Sequence, residues 1–107
     1  MLRWYPHLYV GERARKEQGQ LVRDIEELKG ASGAYVLTFP VNEANQLELV
    51  PVRILRQQKV LDRTPMIVGL AADKAEALEM VEALTKESLL SRGDTDLKAY
   101  LRGRLAQ

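Results

Sequence analysis

Three acidic residues in this chain each follow closely on an apolar run. Glu12 comes after Leu8-Tyr9-Val10-Gly11, Glu43 after the run ending at Phe39-Pro40, and Asp73 after the run from Met66 to Ala71. Carboxylates gathered from separate turns are the chemistry of a Mg²⁺ site, which takes hard oxygen ligands and water. Gly11, Asn42, Asn45 and Gly69 stand beside them, giving a candidate ligand-binding set of Gly11, Glu12, Asn42, Glu43, Asn45, Gly69 and Asp73. A local reading competes with it, because an acidic residue that opens a helix caps free amides and complements the helix dipole. Asp73 with Glu76 three residues later has the spacing of a capping box, so a cap is predicted there. Glu12 and Glu43 are less well explained by capping.

Other chemistries find less to work with. The chain has no cysteine, which removes thiolate nucleophiles, disulfides and Cys-built zinc sites. Gly11 stands alone, without the glycine-rich spacing that cradles a phosphate or dinucleotide. His7 is the single histidine and precedes the first apolar run, away from the edge where α/β ligands bind. None of the three serines, Ser32, Ser88 and Ser91, lies in a nucleophile-elbow context. No catalytic residue and no cofactor are expected.

Trp4, Tyr5 and Tyr9 cluster near the start, interleaved with Arg3 and His7, while Tyr100, Leu101 and Leu105 form an apolar face near the end. Both groups are candidate partner contacts, since aromatic side chains anchor interfaces; the competing reading folds them onto the core. Arg53, Arg56, Lys59 and Arg63 form a basic stripe at helical spacing, and Arg92, Lys98, Arg102 and Arg104 a looser one. Sixteen basic against fifteen acidic residues leave a formal charge of +1, an unpromising balance for nucleic-acid binding. No stretch approaches the roughly 20 apolar residues of a membrane span, and a cytoplasmic protein is expected.

The elements that must position these residues follow from periodicity. Leu8–Val10 reads as a strand, and a helix follows from Glu12 with Ala14, Leu21, Val22, Ile25 and Leu28 on one side, stopping at Gly30. Residues 34–39 and 66–71 are continuous apolar runs, the mark of strands covered on both faces. Between them, Leu47, Val50, Ile54 and Leu55 fit a helical stripe, although Leu47-Glu48-Leu49 could alternate as a strand. A parallel crossover calls for a helix, so a short helical piece broken before Pro51 and a better helix from Pro51 to about Lys59 are expected. Asp73 opens the next helix, whose buried stripe is Ala77, Met80, Val81 and Leu84 and whose stop is Gly93. Asp94 or Thr95 opens the last helix. The expected fold is one α/β domain over residues 1–107, β-α-β-α-β-α-α, with a three-stranded parallel sheet ordered 2-1-3 or 3-2-1 and helices packed on it.

Leu8-Tyr9-Val10-Gly11, Ile67-Val68-Gly69-Leu70-Ala71 with Glu76-Ala77-Leu78, and Gly93-Asp94 with Leu97 and Tyr100-Leu101 carry a resemblance spanning most of the chain. In these segments it resembles a group of short, functionally uncharacterised α/β proteins of anaerobic Gram-positive bacteria. The resemblance implies the domain boundaries and no activity. A small sheet with two open edges invites pairing, so the functional expectation is a non-enzymatic interaction or regulatory module that self-associates as a homodimer and can take a protein partner. A small-ligand or Mg²⁺ domain is the alternative.

Overall fold

The computed structural model describes residues 2–27, 33–57 and 63–105. Strand β1 (Trp4–Val10) leads into a one-turn helix α1 (Glu12–Arg15) and then helix α2 (Gln18–Glu26). Strands β2 (Tyr35–Thr38) and β3 (Glu48–Pro51) follow, then a 3-10 helix (Val52–Arg56), strand β4 (Ile67–Ala71) and helices α3 (Lys74–Arg92) and α4 (Leu97–Arg104). The fold is mixed α/β.

Its sheet corrects the expected one in strand number and direction. Four strands lie in the order β1-β4-β2-β3. β1 runs parallel to β4, but β2 runs antiparallel to both β4 and β3. The expected helical piece before Pro51 is instead strand β3, and the expected helix from Pro51 begins as the end of β3 and a 3-10 turn, so the alternation in Leu47-Glu48-Leu49 was the stronger signal. Nine residues, 39–47, carry the chain from β2 back into antiparallel β3, with no helix between them. The crossover lies one strand later, from β3 past β2 to β4.

Two clusters pack on opposite faces. Tyr5, Leu37, Phe39, Val68, Leu84, Leu97 and Leu101 form one beneath α3 and α4. Ala14, Leu21, Ile25, Val36, Leu55, Ile67 and Leu70 form the other beneath α1, α2 and the 3-10 helix. β4 is buried along its whole length, as a strand with neighbours on both sides and helices on both faces must be. One step on β2, Leu37 to Thr38, matches two on β4, Gly69 to Ile67, and this bulge takes Val68 off strict alternation.

Several boundaries move. The first helix breaks after Arg15 and resumes at Gln18, with Gly19 inside α2. β1 begins at Trp4 rather than Leu8, because an edge strand tolerates Pro6. Asp96, not Asp94 or Thr95, caps α4 by accepting from Ala99 N at 3.1 Å. Asp73 caps α3 as expected, accepting from Glu76 N at 2.8 Å, and Gly93 ends it with φ of 80°, where glycine carries no Cβ penalty. Leu28, the stop at Gly30 and Lys59 lie outside the described residues.

Candidate functional site

Strand direction decides the fate of the three carboxylates. β2 is antiparallel to β4, with Tyr35 beside Ala71 and Thr38 beside Ile67, so the turn after β2 lies at the opposite end of the sheet from Gly11 and Asp73. Asn42, Glu43 and Asn45 therefore cannot share a site with Glu12 and Asp73. Asn42 Oδ1 accepts from Ala44 N at 3.0 Å and its carbonyl from Asn45 N at 2.9 Å, which makes the two asparagines turn formers. Glu43 pairs with Lys98 and Arg102 of α4, both at 3.3 Å. The Lys98 hydrogen bond, followed by that of Arg102, holds its carboxyl below the ordinary value. Gly69 is no loop residue either, for a Cβ there would lie 2.8 Å from Leu37 Cδ1 and 3.1 Å from Met80 Cε in the core. Among the described residues, no three His, Asp or Glu side chains gather as a metal site requires.

At the other end of the sheet the decisive residue is Glu76, which belonged to the expected capping pattern and proves to be 2% exposed. Its carboxylate does not reach back to Asp73. It accepts from Arg13 N at 2.7 Å, Ala14 N at 3.1 Å and Ala72 N at 2.9 Å. The first two are orphan amides of α1, a helix that has no side-chain cap from its own N-terminal neighbour. Burial pushes the Glu76 carboxyl up, but the three amides and the Arg13 charge outweigh it and the net direction is down. Arg13 also binds Asp73 at 2.9 Å, and Asp73 is lowered by the Glu76 amide and then by that guanidinium. The amides where an α/β fold would offer anion donors to a ligand are thus occupied by the protein's own carboxylate.

Beside this lock a cleft of about 410 Å³ runs between β1 and α3. Met80, Ala83 and Leu84 line the α3 side; Leu8, Tyr9 and Val10 line the strand side. One end is closed by a polar cluster. Tyr9 and Tyr100 both donate their hydroxyls to Glu87 Oε2, at 2.8 and 2.9 Å, and Arg104 donates to the Tyr9 hydroxyl oxygen. The Arg104 guanidinium lies 5.5 Å from the Tyr9 ring centre and 5.9 Å from that of Tyr100, within cation–π range. Burial, reinforced by Glu87, pushes the Tyr9 phenol well above its usual range, so it stays protonated and donates. Glu87 carried no local sequence signal, because Tyr9 lies 78 residues away from it.

The expected partner contacts divide. Tyr5 is 2% exposed and donates its hydroxyl to the Leu101 carbonyl at 2.6 Å, and Leu101 is fully buried. Both are core, a correction that follows from α4 turning its apolar face inwards onto β1. Trp4 packs against the second cluster and donates to Glu26. Tyr9 and Tyr100 belong to the Glu87 cluster, and Leu105 is 38% exposed. His7 is exposed at the mouth of the cleft, its ring edge-on to Tyr5 at 5.9 Å. Arg53 and Arg63 are exposed; the 3-10 helix ends at Arg56 with Gln57 extended, and Lys59 lies outside the described residues. Compared with known protein families, with curated proteins and with solved structures, the chain matches none.

Proposed function

We propose that this protein is a non-enzymatic interaction or regulatory module that acts as a homodimer in the cytoplasm. The observation that carries the reading is the unpaired outer edge of β1: seven residues of strand end the sheet, and among the described residues no strand lies beyond it. Such an edge offers amides and carbonyls that another chain can pair with. The near-cancelling charge favours a protein partner over a nucleic acid. Light scattering over a range of concentrations tests the reading. A mass near twice 12.1 kDa is expected, and a monomer at every concentration would overturn it.

A second reading has the cleft behind it. A volume of about 410 Å³ at the carboxyl end of β1 is the size of a small-molecule site and lies where α/β sheets bind ligands. Thermal melting against a panel of nucleotides and other small metabolites tests it: a saturable rise in Tm supports a ligand, and no shift across the panel rejects the reading.

A further inference from the structure

We infer that two copies of this chain join by antiparallel pairing of their β1 strands around Leu8–Val10, so that one continuous sheet crosses the dimer and each partner's strand walls the open side of the other's cleft. The inference rests on the homodimer reading and specifies its surface.

Three features of the molecule lead to β1 and to a second copy. First, the backbone is aimed correctly. Val10 pairs with Leu70 in parallel, and the Gly11 amide donates to the Leu70 carbonyl at 2.8 Å. Tyr9 and Gly11 therefore turn their backbone groups towards β4, and alternation along the strand turns those of Leu8 and Val10 outwards. Leu8 and Val10 are half-buried, leaving apolar surface for a neighbouring strand to cover.

Second, the pairing stretch has natural limits. Between Trp4 and Tyr9 the strand advances five residues while β4 advances only from Ile67 to Gly69, so β1 arches away from its neighbour there. Pro6 and His7 are exposed on that arch, and Pro6 has no amide to donate. At the other end Glu12 opens α1. A short free stretch between two stops suits a closed twofold pair better than an open-ended stack. β3, at the opposite edge, is four residues long and ends in Pro51, a poorer template.

Third, the flanking charge is of both signs. Arg13, Arg15 and Arg104 line the cleft together with Glu12, Glu76, Glu79 and Glu87, and the buried Glu76 is paired with Arg13. A partner of one sign would meet like charges as well as unlike ones. A rotated copy brings the same mixture in reverse order, which is the self-complementarity a twofold interface needs.

The absence of native cysteine makes the test clean. Single-cysteine variants His7→Cys, on the β1 arch, and Val41→Cys, exposed near β3, are treated with a hexane-spaced bismaleimide at low micromolar concentration. Pairing centred on Tyr9 sets residue 7 opposite residue 11 of the partner, so the two copies of residue 7 lie about four strand steps, roughly 14 Å, apart and within the linker's reach. A covalent dimer from His7→Cys and little from Val41→Cys is expected, together with slowed hydrogen exchange at the Leu8 and Val10 amides as concentration rises. A dimer by light scattering that links through Val41→Cys, or that leaves those two amides unprotected, overturns the β1 interface while the homodimer reading stands. A monomer throughout overturns both.

Discussion

Gly11 and Glu76 meet with no room for a methyl group between them, since a Cβ built on Gly11 would lie 2.1 Å from Glu76 Oε1. Gly11 itself has φ of −60°, which any residue adopts, so glycine is required there for space and not for backbone freedom. Gly11→Ala must push the carboxylate off amides that have no other acceptor. A loss of about 1–3 kcal/mol is expected, read as a lower urea midpoint. Glu76→Gln keeps the shape but presents an NH₂ group to part of the amide set, and a loss of similar size, about 1–3 kcal/mol, follows. The two variants differ from wild type in acid as well. Because the folded Glu76 carboxyl lies below its ordinary value of 4.5, the unfolded chain takes up a proton that the folded chain does not. Its contribution is fully present above the unfolded value and disappears as pH falls through the folded one. Urea midpoints measured from pH 7 to pH 3 should fall less steeply for Glu76→Gln than for wild type below about pH 4.5; equal slopes would assign the acid sensitivity to other carboxylates.

At the scale of elements, α1 shows how little a short helix can do alone. Four residues with no side-chain cap would not persist in isolation, since nucleation outweighs so few hydrogen bonds. The first turn of α3 supplies its cap from 62 and 63 residues away, so the two elements stand or fall together. α4 is held differently. Asp96 caps it, Ser88 of α3 donates to the Asp94 carbonyl at 2.9 Å just before it, and Leu97 and Leu101 bury its inner face. Asp96→Ala should therefore cost about 1 kcal/mol without releasing the helix, because the apolar face remains docked. Circular dichroism with unchanged helix content and a modestly lowered Tm is the expected result.

For the whole molecule, the arrangement of four strands leaves one long edge and one short one. Covering the long edge with a second copy links folding to association, and the apparent stability of such a protein rises with its concentration. Thermal unfolding followed over a hundredfold range of concentration should show a rising Tm, whereas an independent monomer unfolds at one temperature throughout. The exposed leucines of α3, Leu78, Leu89 and Leu90, are spread along a helix whose other outward residues include Glu82 and Lys86. Leu89 and Leu90 are neighbours and Leu78 stands about three turns away, so the exposed apolar surface is small and divided and needs no partner.

The chain's own patterns determine its elements well where the signal is local. The apolar runs that become β2 and β4, the Asp73 cap and the Gly93 stop depend on neighbours within a turn or two, and they lie where periodicity and capping chemistry put them. Direction and company were decided by tertiary structure. A buried apolar run reads the same whether its neighbour is parallel or antiparallel, so nothing local in residues 34–39 announces that β2 is reversed. That reversal separates Glu43 from Asp73. Glu76 bears the cap's sequence spacing, but its acceptors serve amides brought in by strand pairing, and Tyr9, Glu87, Tyr100 and Arg104 meet only because α3 and α4 fold across β1. Burial and hydrogen bonding over long separations are properties of the packed chain, and only the packed chain selects which of several locally equivalent carboxylates becomes the buried one.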